Sequence, residues 1–203
     1  TRLRKLVTAA FTRRRIDALE PRIREIAAGL LDEMAAAGEP VDLVNAYSYP
    51  LPITVICELI GIPAVRREDF RQWSSVFVNA SMHTMEEYVE ASTLMLGFVR
   101  ELIEDKSRAP ADDLLSGLIA ARDGGDRLSE DELTSMIFLL LAAGHETTVT
   151  RIDVGTVLLL THPEHYRALA ADPTRVPATV EEILRLAAPG GSGGGLPRYA
   201  HTD

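Results

Sequence analysis

The sequence predicts a mainly α-helical protein with little β-structure. Apolar residues recur at steps of three and four along most of the chain, which is the period of one face of a helix. The composition contains only 5% aromatic residues, is rich in alanine and leucine, and has few β-branched runs, which also favours helix. The 203 residues, 46% of them hydrophobic, suffice for a sizeable core and exclude a disordered chain.

The first predicted elements are an amphipathic helix and a short strand. Over residues 15–37 an apolar stripe begins at Ile16 and repeats at helical spacing until Gly38 provides a stop signal. Residues 40–46 are the one segment that is plausible as a strand, and such a short strand is expected at a sheet edge.

The middle of the chain predicts further helices. Residues 51–60 are apolar nearly all round, which is typical of a helix buried on most sides, and Gly61 and Pro63 close it. The same helical periodicity continues over residues 68–79, 85–106 and 110–121. Residues 81–84 break the pattern between the first two of these segments, and a turn at residues 123–126 follows the third.

A long central helix is predicted next. Ser129 and Glu132 fit a capping box, and no proline follows until Pro163, so residues 129–160 could form a helix about 45 Å long. Two short helices are then predicted over residues 163–171 and 177–187, followed by a glycine-rich loop at 189–195.

The charge and hydropathy of the chain limit its partners. Residues 1–24 contain eight Arg and Lys residues against Asp17 and Glu20, a net charge of +6, within a chain of net charge −9. The acidity of the remainder argues against nucleic-acid binding. No apolar run reaches the ~18 residues of a membrane span and no secretory signal is visible, so we expect a cytoplasmic protein with no membrane contact.

Few residues suggest a metal site. Cys57 is the single cysteine, which excludes an internal disulfide and a cysteine-rich metal site, and its apolar surroundings in sequence predict a buried small side chain. His162 and His165 are better explained by a helix start or an exposed loop than by metal binding. We therefore expect no metal ligand among these side chains.

Polar residues interrupt the apolar centre of the long helix. Gly144, His145, Glu146, Thr147 and Thr148 follow an apolar run, where a buried helix would continue with leucine and alanine. Glycine allows another group to approach the backbone closely, and a threonine hydroxyl can widen one helical turn into a bulge. With an acidic residue beside the threonines, the pattern indicates a groove with a proton route.

Three motifs follow one another in the second half of the chain. Ala-Gly-His-Glu-Thr-Thr occupies residues 143–148, Glu-x-x-Arg residues 182–185, and Leu-Pro-Arg-Tyr-Ala residues 196–200. Glu-x-x-Arg alone would be a surface ion pair. The ordered set, however, closely resembles the bacterial cytochrome P-450 family of heme-thiolate monooxygenases. The resemblance covers essentially the whole chain, with residues 1–7 similar to the family's C helix, 55–63 to its E helix, 143–148 to its I helix and 177–188 to its K helix.

The resemblance implies roles for particular residues. Thr147 would be the oxygen-activating threonine and Glu146 the adjacent acid of the proton-delivery route. Ala143 and Gly144 would flank the kinked turn where dioxygen lies. Glu182 and Arg185 would be a buried K-helix pair with a structural role.

The resemblance also implies binding partners. Heme is expected for the complete family member, with Arg4 and Arg198 against its propionates, since a guanidinium fork suits a carboxylate. The basic amino-terminal patch would receive an acidic, ferredoxin-like electron donor. Residues 81–85 would be a lid over a small apolar organic substrate.

The sequence departs from the family pattern in one respect. The family holds iron through a cysteine in a Phe-Gly-x-Gly-x-x-x-Cys-x-Gly loop, and the chain stops at Asp203 before any such loop. Cys57 lies in the wrong context for that task. We therefore expect a single partial domain over residues 1–203, from the C helix through the K helix, that lacks the amino-terminal part and the heme-cysteine loop and is inactive alone.

Two other interpretations remain open. The chain could be a heme-free helical protein derived from this family that binds an apolar small molecule or a protein partner in a groove beside residues 143–147. It could also be a different enzyme, such as a hydrolase using Glu146 with His145 or a threonine, although adjacent helical residues point ~100° apart, so that His145 and Glu146 are poorly placed to act on one atom. If the chain is instead the partial family member, its exposed apolar faces would favour self-association.

Overall fold

The computed structural model describes Lys5, Thr8 and residues 13–38, 40–78, 82–123 and 126–186. The chain divides into two compact units, Thr1–Glu146 and Thr147–Asp203, and each is described by itself. The mainly helical class is confirmed. The prediction of a single partial domain stays a prediction. In the described ranges, no helix combines the length and the apolarity that crossing a bilayer requires.

The first unit contains six helices and a minimal hairpin within its described residues. In chain order these are α1 (Arg13–Ala37), a π-helical turn (Val44–Ser48), α2 (Pro50–Ile60), a 3-10 turn (Ala64–Arg66), α3 (Arg67–Val78), α4 (Met85–Arg108), α5 (Leu114–Ala120), β1 (Arg122–Asp123), β2 (Asp126–Arg127) and α6 (Glu130–Gly144). The two strands pair antiparallel, with Arg122 opposite Arg127. The helices predicted over residues 15–37, 51–60, 68–79, 85–106 and 110–121 are confirmed within a few residues. The residues 1–7 that resemble a C helix lie, except for Lys5, outside the described residues.

The second unit contains three helices within its described residues. They are α7 (Glu146–Thr161), α8 (Pro163–Ala171) and α9 (Val176–Leu186), with a 3-10 turn (Pro173–Arg175) before α9. Gly155 of α7 faces Ile183 of α9 so closely that a Cβ atom at residue 155 would lie 3.2 Å from two Ile183 side-chain carbons. This approach packs α7 directly against α9.

The predicted strand at residues 40–46 is wrong, because Val44–Ser48 is a π-helical turn. Asp42 provides the physical reason. Its carboxylate accepts hydrogen bonds from the backbone N–H groups of Val44 (3.0 Å) and Asn45 (3.2 Å) and from the Asn45 side-chain amide (2.7 Å). These local bonds satisfy backbone donors that a strand would leave for a neighbour, and they start a helical turn instead.

The predicted long helix begins as expected but is not continuous. The Ser129 N–H donates to the Glu132 carboxylate (2.8 Å) and the Glu132 N–H donates to the Ser129 hydroxyl (3.2 Å), which confirms the capping box. The helix is interrupted at His145, between α6 and α7. The irregularity predicted for the polar stretch is therefore present, and it divides the helix in two.

The core of the first unit is built around α2 and α4. Helix α2 is buried on most sides, as its apolar sequence predicted, and burial of each large side chain contributes ~1.5–3 kcal/mol. The buried residues of the two helices are Leu51, Pro52, Ile53, Ile56, Cys57 and Ile60 in α2, and Ala91, Met95, Phe98, Val99, Leu102 and Ile103 in α4.

The carboxyl end of α2 is fixed by a buried ion pair. Gly61 ends α2 in the left-handed conformation (φ +86°), and its N–H donates to the Cys57 carbonyl (3.0 Å). Beside it, Asp113 pairs with Lys106 and accepts a hydrogen bond from the Ser116 N–H (2.8 Å), which caps α5. The Asp113 and Lys106 side chains are 8% and 15% exposed. One carboxylate thus connects α4 and α5 beside the end of α2.

We expect Gly61→Ala to destabilise the chain strongly. A side chain in the left-handed conformation costs ~1–2 kcal/mol, and the new Cβ would lie 2.3 Å from the Asp113 carboxylate, so the ion pair must also move. Urea denaturation followed by circular dichroism measures the loss.

Gly29→Ala in the middle of α1 is the matched control. A Cβ atom there meets nothing within 4 Å. We therefore expect stabilisation by ~0.5–1 kcal/mol, from helix propensity alone. A Gly61→Ala chain as stable as the wild type would contradict the proposed clash.

Candidate functional site

The candidate site is the interruption of the long helix. Helix α6 ends at Gly144, His145 is not helical, and α7 begins at Glu146. The motif Ala-Gly-His-Glu-Thr-Thr therefore lies across the break, with Ala143 in the last turn of α6 and Thr147 in the first turn of α7. Thr147 and Thr148 are exposed to solvent. The roles assigned to these residues stay predictions.

Gly144 lies in close contact with α2. A Cβ atom at this position would lie 3.2 Å from Ile56 Cδ1 and 3.7 Å from Ile56 Cγ1. The first distance is shorter than ordinary van der Waals contact. The sequence-based interpretation of Gly144, that it lets another group approach the backbone, is confirmed, and the approaching group is a methyl group of α2.

His145 is completely buried, with 0% of its surface exposed. Its ring packs edge-on against Tyr49, with ring centroids 4.5 Å apart and an interplanar angle of 83°. Tyr49 immediately precedes α2, and burial raises the pKa of its phenol above the usual value. A side chain so enclosed is inaccessible to a substrate, which argues against the hydrolase interpretation that pairs His145 with Glu146.

The Glu182–Arg185 pair forms on α9, but it is not buried in this chain. Arg185 Nε donates to Glu182 Oε2 at 2.8 Å, and the two side chains are 66% and 54% exposed. The hydrogen bond from Arg185 lowers the pKa of Glu182. The resemblance implies a buried pair, which stays a prediction for the complete protein.

Cys57 has the environment of a structural residue. Its side chain is 1% exposed within the core, and burial raises the pKa of its thiol to about 12. A thiol that holds its proton so strongly is a poor metal ligand. Within the described ranges, no group of three or more His, Cys, Asp or Glu side chains converges on a metal position.

The paired histidines of the second unit have a structural setting. His162 precedes α8 as its N-cap residue, and its Nδ1 lies 2.9 Å from the carbonyl oxygen of Leu158. The helix start predicted at this residue is confirmed.

Sequence reasoning missed a cleft in the second unit. It has a volume of about 520 Å³ and a mostly apolar lining from α7, α8 and α9. The helical spacing of Leu158, Leu159, Ile183 and Leu186 was the signal that could have found it. This cleft is not the groove beside residues 143–147 that the heme-free interpretation expects.

Several predicted residues lie outside the described ranges. Arg4 and Arg198, assigned to the heme propionates, are among them, as are Ser81 of the expected lid and the glycine-rich loop at 189–195. The lid residues Met82 and Met85 are described, and both are largely exposed.

The comparisons with known proteins agree with this geometry. The family profile described as Cytochrome P450 matches residues 65–203. The chain belongs to the cytochrome P450 family.

Individual P450 relatives cover nearly the whole chain. Cytochrome P450 107B1 of Saccharopolyspora erythraea is 49% identical over 202 residues, which are 100% of this chain and 48% of that protein. Vitamin D(3) 25-hydroxylase of Pseudonocardia autotrophica is 50% identical over 190 residues, covering 93% of this chain and 46% of that protein.

A solved P450 structure shows the same fold. The LnmZ cytochrome P450 hydroxylase of Streptomyces atroolivaceus superposes with a TM-score of 0.86 at 41% identity, covering 90% of this chain and 50% of that one. The chain thus spans about half the length of the curated relatives that it matches.

We expect the Cys57 thiol to react slowly while this P450 chain is folded. A pKa near 12 instead of the ordinary 9.0 lowers the thiolate fraction at pH 8 by about 10³-fold. Labelling with a chromogenic disulfide reagent, followed by absorbance, measures the rate.

The chain unfolded in urea is the positive control and should react at the rate of a free thiol. Cys57→Ala is the blank. Fast labelling of the folded chain would contradict the burial of Cys57 and would reopen its candidacy as a metal ligand.

Proposed function

We propose that the chain is part of a heme-dependent monooxygenase that hydroxylates a small apolar organic substrate and that it is inactive on its own. The observation that carries the proposal is the interruption of the long helix within the motif at residues 143–148. The relative named vitamin D(3) 25-hydroxylase supports a hydroxylation reaction.

The residues around the interruption have distinct roles in this proposal. Ala143 and Gly144 are proposed to border the space for dioxygen, and the missing side chain of Gly144 accommodates Ile56 Cδ1 of α2. Thr147 and Glu146 are proposed to move protons to that space as two separate groups, because adjacent helical residues point ~100° apart and a positioned hydroxyl or carboxyl can each transfer a proton. Glu146 begins α7, where the helix dipole favours an acidic residue.

The heme of the complete family member supplies the oxygen chemistry. The residues of this chain do not fit the iron-ligating task, because Cys57, the single cysteine, is buried in α2 with a pKa near 12. Arg4 and Arg198 are proposed to contact the heme propionates.

An acidic, ferredoxin-like protein is the proposed electron donor. The support is the net charge of +6 over residues 1–24. Part of that charge is used within the chain, since Arg22 Nη2 lies 2.8 Å from Glu58 and Arg24 Nη2 lies 2.8 Å from Glu20.

We expect Thr147→Ala to uncouple oxygen consumption from hydroxylation in the complete, heme-loaded protein. Product formed per electron pair consumed should fall by at least about tenfold, because positioned proton-transfer groups contribute ~10²–10⁴-fold. Oxygen uptake, peroxide release and product are measured in the same reaction.

Thr148→Ala is the matched control, since it removes an equivalent exposed hydroxyl one residue away. We expect its coupling to stay close to that of the wild type. Unchanged coupling in the Thr147→Ala protein would remove Thr147 from the proposed role.

We also propose that the chain associates with itself. Large apolar side chains are exposed on α6, α7 and α9, namely Leu139, Val157, Leu160, Val180, Leu184 and Leu186. Apolar surface of this kind is stabilised by contact with a second copy. Sedimentation velocity should give a dimer or larger species whose fraction rises with concentration, and a compact monomer at all concentrations would contradict the proposal.

A further inference from the structure

Two side chains associated with α2 contact consecutive residues at the interruption of the long helix. Ile56, within α2, approaches Gly144, and Tyr49, which precedes α2, packs against His145. Residues 144 and 145 therefore both meet one short, rigid element of the same unit.

Contacts within the first unit hold Tyr49 in place against His145. Its N–H donates to the Val44 carbonyl at 2.9 Å, which closes the π-helical turn, and Pro50 follows it directly. The phenol is buried, near Arg71 and Glu68 of α3. The ring of Tyr49 is thus a fixed surface for the imidazole of His145.

The contact with Ile56 favours the smallest residue, glycine, at position 144. With glycine there, Ile56 Cδ1 fits against the backbone, and with any larger residue it would be closer than ordinary contact. Moving the helix by one residue would bring Ala143 or His145 to this position, and both carry a Cβ atom. Close packing leaves little room for such a shift.

We propose that Tyr49 and Ile56 are positioning residues that determine which residue interrupts the long helix. They hold the interruption at His145. The consequence for Thr147 rests on the proposed function: successive residues of a helix point ~100° apart, so an interruption displaced by one residue would turn the Thr147 hydroxyl away from its proton-transfer position.

The first experiment tests the position of the interruption in the 203-residue chain. Backbone Cα chemical shifts and amide hydrogen exchange are measured over residues 142–150. In the wild type and in Tyr49→Phe, which keeps the ring, we expect a single non-helical position at 145. In Tyr49→Ala, exchange of amides 145–148 should accelerate by about two- to tenfold, the range expected for loss of one aromatic pair.

A second pair of variants tests the Ile56 contact. Gly144→Ala should displace the interruption or broaden its signals. Adding Ile56→Val removes Cδ1, so that the nearest retained atom of residue 56 lies 3.7 Å from the new Cβ, and the wild-type shifts should return. This rescue is specific, because loss of a methyl group from a core otherwise destabilises the protein.

Two results would overturn the proposal. One is a wild-type pattern of shifts and exchange in both Tyr49→Ala and Gly144→Ala. The other is a displaced pattern in Gly144→Ala that persists when Ile56→Val is added, which would mean that glycine acts through helix propensity alone. If the Tyr49→Ala chain fails to fold, the Gly144→Ala chain with and without Ile56→Val still tests the proposal.

The functional consequence is measured separately as product per electron pair in the complete, heme-loaded protein. Tyr49→Ala should lower this ratio severalfold while Tyr49→Phe retains it. If the shifts behave as expected but Thr147→Ala leaves the ratio unchanged, the proposed function fails and the positioning role stands. If Thr147→Ala uncouples oxygen consumption from hydroxylation, but the chemical shifts do not change on substitution of Tyr49 or Ile56, the positioning role alone fails.

Discussion

The close approach of α2 to the end of α6 is the constraint on which the candidate site depends. Helix α2 is buried on most sides, so its position is determined by the whole core of the first unit rather than by one neighbour. A side chain at residue 144 would place its Cβ atom only 3.2 Å from a single methyl group, Cδ1 of Ile56, which would have to move by a few tenths of an ångström. Glycine is intrinsically unfavourable in a helix. Close packing against α2 explains why a glycine is nevertheless present at residue 144.

Charged groups secure the same helix along its length. Glu58 of α2, which has 14% of its side chain exposed, accepts from Arg22 of α1 and from Arg67 of α3, and the hydrogen bond from Arg22 is the main cause of its lowered pKa. At the end of α2, the buried pair of Asp113 and Lys106 adjoins Gly61. Removing one partner of a buried pair costs ~3–5 kcal/mol, so these contacts oppose any rearrangement of α2.

The second unit depends more on apolar contacts and less on buried ion pairs than the first unit does. Its charged pair, Glu182 with Arg185, is mostly exposed, and exposed pairs contribute little to stability because water screens them. Its helices are held together by apolar contacts such as Gly155 with Ile183, and they leave an apolar cleft of about 520 Å³. A unit with this surface is stabilised by covering it, which is the physical basis for the proposed self-association.

The sequence by itself determined the helical class, the limits of the helices outside the long one, the capping box at Ser129 and the irregularity near Gly144, because periodicity and capping act over a few residues. It misjudged residues 40–46, where the side chain of Asp42 competes with strand formation. Only the tertiary structure decided that the break occurs at His145 and that the Glu182 pair stays exposed. The contacts of Gly144 with Ile56 and of His145 with Tyr49 join segments far apart in sequence, and local patterns carry no information about such contacts.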